Sequence, residues 1–294
     1  MKQLSLLTKI MFCIVAILLV ITVVLGIMTA VKDSKENKDK NQGITSTTVT
    51  PIPTSAVSPT GAADTPTPEP TETPTPEPTE VPVTGGHKIA LDPGQQKSQM
   101  SETEPVGPGA SATTAKMSYG ATSTTTGKRE YEWSLEFTLR LKTELEARGY
   151  EVVLTREEGD VKISNAERAQ FANESGAEIY LSIQADAASN KDAKGIYTQI
   201  PSQSNAFVGN MYADCKRLAK TIQNNLIAET GAKDRGVQEN DKVAAINYSE
   251  IPVAVLQLGF MSNKEEDTNL WSAEYQDKMI KAICDGIDTY FQED

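Results

Sequence analysis

One histidine, His87, is all that the 294 residues contain. Metal chemistry that needs two imidazoles on one ion is closed to such a chain. Cysteine is scarce too. Cys13, Cys215 and Cys284 are the whole set, with no CxxC pair, so neither a thiolate zinc knuckle nor a CxxC redox motif is available. Cys13 lies in an apolar run. Cys215 and Cys284 lie in apolar-periodic, helix-like stretches, where a small buried hydrophobe is the plain reading and a single disulfide outside the cytoplasm the alternative. Positive charge is also short. Against 40 Asp and Glu stand 28 Lys and Arg, a net charge of −12 without a basic stripe. That surface repels a phosphate backbone and excludes nucleic acid as a partner.

What is present divides the chain into four parts. After a short tail (1–9), residues 10–31 carry no charge and are rich in Ile, Val and Leu. As a helix they span roughly 33 Å, enough for a bilayer core. No small-x-small cleavage site follows, so an uncleaved anchor is expected, with a cleaved signal as the alternative. Lysines stand on both sides (Lys2 and Lys9 before; Lys32, Lys35, Lys38 and Lys40 after), so the positive-inside count does not orient it.

Residues 32–85 read as a linker. Ten of the fifteen prolines fall between Pro51 and Pro82, and the octet TPTPEPTE occurs twice in succession, at 65–72 and 73–80. Such a tract samples extended polyproline II, and ~50 residues reach on the order of 150 Å. A passive spacer is the plain reading; glycosylated threonines are the elaborate one.

Residues 86–294 are the length of one domain. Apolar strands are expected at 88–91, 150–155, 179–183, 195–200 and 253–258. Helices are expected at 130–148, from an apolar stripe of Trp133, Phe137, Leu141 and Leu145 widened by Leu135 and Leu139, then after Ser164 with Glu167 completing a capping box, and at 212–230 and 274–291. A Gly/Ser/Thr-rich stretch from about Gln95 to Gly127 reads as a long loop. This alternation implies α/β architecture: a mixed, largely parallel twisted sheet flanked by helices.

Several motifs then stand in order. They are Leu91-Asp92-Pro93-Gly94, Gly107-Pro108-Gly109-Ala110, Glu130, Leu154-Thr155-Arg156, Ala166 to Arg168, Ser182-Ile183, Asp234-Arg235-Gly236-Val237, and Leu258-Gly259-Phe260-Met261-Ser262-Asn263 with Lys264-Glu265-Glu266-Asp267 behind it. With this order and spacing the domain resembles the zinc-dependent N-acetylmuramoyl-L-alanine amidases, which cut between the glycan and the peptide of peptidoglycan. The resemblance implies three zinc ligands, a His after Asp-Pro-Gly, a Glu opening a helix and a His after Ser-Ile, and a catalytic Glu in the last strand. Carried over by position, these are Gln95, Glu130, Gln184 and Gln257.

One ligand of three is kept, and the acid/base position is an amide. A neutral amide oxygen is a poor zinc donor, and an amide cannot shuttle a proton at neutral pH. His87 precedes a strand whose far end carries Gln95, about 25 Å away by extended chain. The expectation is therefore an amidase-like domain with no cofactor, although the family uses zinc. It is a pseudoenzyme that binds peptidoglycan or a cell-envelope protein through Gln95, Glu130, Gln184, Asp186 and Gln257. The linker and the resemblance place it outside the cell membrane, held by residues 10–31. The alternatives are an active amidase with an atypical site and an envelope interaction module.

Smaller signals carry two readings each. Asp186 beside Gln184 adds a carboxylate suited to a hard ion. Arg156 and Arg168 suit a peptide carboxylate, or surface pairing with Glu157, Glu158 and Glu167. The run 122–126 reads as solvated loop or as a lid.

Overall fold

The computed structural model describes residues 86–292. The expected membrane segment and linker lie outside these residues. Among the described residues no helix is long and apolar enough to cross a membrane.

Six strands form one sheet: β1 (Lys88–Pro93), β4 (Glu151–Leu154), β5 (Ile179–Asp186), β6 (Ile196–Ile200), β7 (Asp234–Glu239) and β8 (Val253–Phe260). Their order is β4-β1-β5-β8-β6-β7. Every neighbouring pair is parallel except β6 with β8. The sheet is thus mixed and largely parallel, as the strand–helix alternation implies. β8 is buried at all eight positions, which requires cover on both faces.

The helices supply that cover. α1 (Glu130–Ala147) and α3 (Tyr212–Thr230) each pack on α6 (Ala273–Gln292), and α2 (Asn165–Glu174) packs on the short α4 (Ala244–Asn247). In α1 the stripe of Trp133, Phe137, Leu141 and Leu145 is fully buried. The expected widening fails, because Leu139 is exposed. Ser134 and Thr138 take the buried flank, and their hydroxyls satisfy themselves on Gly94 O (2.6 Å) and Ser134 O (2.6 Å). Trp133 Nε1 donates to Leu270 O at 2.7 Å, tying α1 to α5 (Lys264–Leu270).

Ser164 caps α2 as expected. Glu167 N donates to Ser164 Oγ (3.3 Å), and Ser164 N to Glu167 Oε2 (2.7 Å). Cys215 and Cys284 are buried free thiols, so the disulfide alternative is not formed. Burial pushes the Cys215 thiol up to about 11. His87 is held by Glu178 (2.9 Å) and stacks on Phe291, far from any use as a metal ligand with Gln95.

The structure corrects two expectations about loops. The stretch after Gln95 contains an antiparallel hairpin of β2 (Met100–Pro105) and β3 (Thr113–Met117). Both strands are mostly exposed and polar, so no apolar alternation marks them. The run 122–126 is not free solvated loop either. Ser123 Oγ, Thr124 Oγ1, Thr125 N and Thr125 Oγ1 all donate to one oxygen of Asp267, a fully buried side chain on α5. β7 and the short α4 and α5 were likewise without a periodic signal.

Candidate functional site

β1, β5 and β8 run parallel, so their C-terminal ends lie at one edge of the sheet, where α/β folds place their sites. There the structure brings together all five expected residues. Gln95 follows β1, Gln184 and Asp186 end β5, Gln257 lies on β8, and Glu130 opens α1. Gln184 and Gln257 are direct register partners.

Glu130 is buried. Its Oε2 accepts from Ala121 N (2.7 Å) and its Oε1 from Ala185 N (3.1 Å). Burial raises its pKa, the two backbone donors and Gln95 offset only part of that, and nearby Asp186 adds to the rise, leaving it at about 7. The loop between β3 and α1 presses on this carboxylate. Gly120 has φ 73, and a Cβ there would lie 2.2 Å from Glu130 Oε2, so only glycine fits.

Gln95 is the one described non-glycine residue with positive φ, 63°. That conformation costs about 1–2 kcal/mol for an L-residue. Ser118 Oγ donates to its Oε1 at 2.6 Å, which fastens the left-handed turn to the same loop. Ser118 and Gly120 are site residues the sequence did not single out. They sit in a Gly/Ser/Thr-rich stretch without periodicity, and their closeness to Glu130 is a tertiary fact.

A hydrogen-bond chain runs beneath the amides. Gln257 Nε2 donates to Gln184 Oε1 (3.0 Å), Gln184 Nε2 to Ser182 Oγ (3.2 Å), and Ser182 Oγ to Asp92 Oδ2 (2.7 Å). Asp92 is anchored in turn by Thr155 Oγ1 (2.6 Å) and Arg168 Nη1 (2.6 Å). Burial pushes the Asp92 carboxyl up, but Arg168 and the hydroxyl donors outweigh it and hold the carboxyl below the usual range.

Both arginines are therefore corrected from the sequence expectation: neither pairs at the surface nor faces a ligand. Arg168 is fully buried on Asp92. Arg156 is buried and donates to Pro93 O (2.8 Å), Gly94 O (3.1 Å) and Tyr131 O (2.9 Å). They satisfy the carbonyls of the turn that presents Gln95.

The zinc that the resemblance implies does not fit these residues. Two of the three implied ligands are amides. Gln95 Oε1 already accepts from Ser118, and Gln184 Oε1 from Gln257. Among the described residues no three His, Cys, Asp or Glu side chains converge, and a catalytic zinc needs three good donors. A hard ion is no better served by Asp186. Its Oδ2 accepts from Tyr197 OH (2.6 Å) and its Oδ1 from Ala187 N (2.6 Å), and no further carboxylate joins it and Glu130.

A prediction follows from Glu130. The folded state holds its proton more tightly than the unfolded chain, so its contribution to stability is full below pH about 4.5. That contribution is lost as pH rises through about 7. The loss is on the order of 3 kcal/mol. Glu130→Gln is expected to remove this slope, and because it turns an N–H toward one of the two backbone donors it lowers stability at pH 5. Urea denaturation of both chains at pH 5 and pH 8 checks it; an unchanged slope in the variant contradicts the assignment.

Comparison with known proteins places this geometry. The sequence profile described as N-acetylmuramoyl-L-alanine amidase matches residues 89–289. The chain is 35% identical over 169 residues to the N-acetylmuramoyl-L-alanine amidase LytC of Bacillus subtilis (strain 168), covering 56% of this chain and 32% of LytC, about a third of that relative. The amidase Ami1 of Mycobacterium smegmatis shares the fold, with a TM-score of 0.64 at 22% identity over 71% of this chain and 99% of that one. The CwlD amidase of Clostridioides difficile, solved in complex with the GerS lipoprotein, superposes with a TM-score of 0.57 at 25% identity, covering 71% of this chain and 100% of that one.

Proposed function

We propose, starting from the fact that this chain belongs to the N-acetylmuramoyl-L-alanine amidase family, that it is a pseudoenzyme of that family which binds peptidoglycan without hydrolysing it. The observation that carries this reading is the state of the implied catalytic positions. Gln95, Gln184 and Gln257 stand where the family's two histidines and glutamate are expected, and all three are engaged in hydrogen bonds rather than lying idle. Without a well-held zinc nothing lowers the pKa of an attacking water, and an amide at position 257 cannot take up and return a proton.

The polar character of the replacements supports retained binding. An abandoned site loses nothing by filling with apolar side chains, whereas buried amides must be kept hydrogen-bonded. Residues 10–31 support a single-pass anchor and 32–85 a spacer, and the spacer with the family membership supports a domain on the outer face of the cell membrane within reach of the wall. The CwlD–GerS complex supports a second class of ligand, a cell-envelope protein.

One experiment tests the reading. The full chain is purified, its zinc measured, and the protein mixed with purified sacculi. The expected result is retention on sacculi well above a heat-denatured control, less than a tenth of an equivalent of zinc by the estimate of a site lacking two ligands (~10³-fold weaker), and no release of peptide. Stoichiometric zinc with released peptide makes the chain an active amidase with an atypical site. No retention removes the binding reading.

A further inference from the structure

Gln257 Oε1 is buried, on a residue only 8% exposed, and among the described residues it has no hydrogen-bond partner. An orphan acceptor of this kind calls for an explanation. The hydrogen-bond chain shows why the amide does not turn to avoid it. Asp92 is an anion held by Arg168, so Ser182 must donate to it. Ser182 Oγ then accepts from Gln184 Nε2, which turns Gln184 Oε1 toward Gln257. Gln257 can meet that oxygen only with its Nε2. Four side chains thus fix Gln257 Oε1 as an acceptor that nothing among the described residues fills.

Beside it lies a cationic shelf. Tyr197 is the register partner of Gln257 across β6 and β8, so the two side chains share a face. A register shift brings Phe260 opposite Asp186, and Tyr197 OH binds Asp186. The Arg235 guanidinium lies over both rings, 5.0 Å from the Phe260 centroid and 5.7 Å from that of Tyr197. Arg235 is exposed; among the described residues its guanidinium donates to Lys194 O at 3.5 Å and makes no ion pair. In a chain of net charge −12, an exposed arginine held on two aromatic rings without a carboxylate is pre-set for an anion from outside.

We propose that this is a subsite for an acidic peptide: Arg235 takes a ligand carboxylate, and Gln257 Oε1 accepts an amide N–H of the same ligand, which enters past half-buried Gln184. Asp186 accepts from Tyr197 OH and so fixes the ring under Arg235. The inference rests on the binding reading above and names the chemistry that the site selects.

The test uses the full chain and one preparation of soluble peptidoglycan fragments, divided so that half keeps free peptide carboxylates and half has them converted to amides. Binding is measured by calorimetry. The parent chain is expected to prefer the free carboxylates by about tenfold or more. Arg235→Gln should erase that preference, and Arg235→Lys should restore part of it. Gln257→Met should weaken both halves by about tenfold, since it removes the acceptor while leaving Arg235. Equal binding of the two halves by the parent overturns the inference and leaves the binding function standing. No binding of either half takes down both. A Gln257→Met chain that binds like the parent overturns the acceptor role and shows that Gln257 Oε1 is met by water alone.

Discussion

The triple variant Gln95→His, Gln184→His, Gln257→Glu is expected to take up one zinc ion per chain, while the parent purified beside it does not. The change in affinity should be on the order of 10³ or more, since two neutral amide oxygens give way to imidazole nitrogens. The scaffold permits this. Histidine tolerates the left-handed backbone that position 95 adopts better than most residues. Gln184 is half-buried, not sealed in the core. Glu130 can keep its backbone donors, because each carboxylate oxygen has a second lone pair.

The sign of the pH dependence is also fixed. Glu130 must lose a proton to bind a metal ion, and burial holds it at about 7. Imidazoles must be neutral as well. Zinc uptake by the variant should therefore rise from pH 6 to pH 8. Metal analysis after dialysis at both values checks it. A folded variant that stays empty at pH 8 would falsify the correspondence between these positions and the zinc site. The fault would then lie with the loop carrying Ser118 and Gly120, which already presses on Gln95 and Glu130.

Arg168→Met is expected to be the most destabilising single change in the domain, by about 3–5 kcal/mol. The guanidinium is fully buried and makes four close contacts: Asp92 Oδ1, Pro93 O, Gln95 O and Gln96 Oε1. Its removal leaves a buried carboxylate unpaired at the start of the hydrogen-bond chain under the site. The pair also carries a pH signature. Asp92 titrates below its usual range in the folded state, so its contribution is present above the ordinary Asp pKa and is lost as pH falls through the lowered one. Urea midpoints of parent and variant at pH 7 and at about pH 3, below the ordinary Asp pKa, test this. A shift under 1 kcal/mol would mean that Asp92 finds another partner.

Much of this was legible in the chain. The helical stripe of α1, the capping box at Ser164 and the apolar runs of β1, β5 and β8 are local patterns, and burial follows the period of the pattern. The hairpin of β2 and β3 was not legible, because its strands bury almost nothing and so leave no alternation to read. Leu139 shows the same limit from the other side. It stands at the edge of an apolar stripe, yet Ser134 and Thr138 were buried in its place, Ser134 donating to the carbonyl of Gly94 and Thr138 to that of Ser134.

The division is clearest at the site. The sequence alone determined which chemical groups stand at its positions, and its single histidine already closed the route to two imidazole ligands. The family resemblance carried by its motifs implied that Gln95, Glu130, Gln184 and Gln257 would meet, and the parallel β1, β5 and β8 deliver their ends to one edge. Only the tertiary structure decided what those groups do there. Arg156 and Arg168 are buried under the turn, not offered to a ligand. Glu130 is locked by two backbone amides, and the chain from Asp92 to Gln257 leaves one acceptor open beside Arg235. Residue identity fixes donors and acceptors; their direction is set by neighbours distant in sequence, and a hydrogen bond depends on direction.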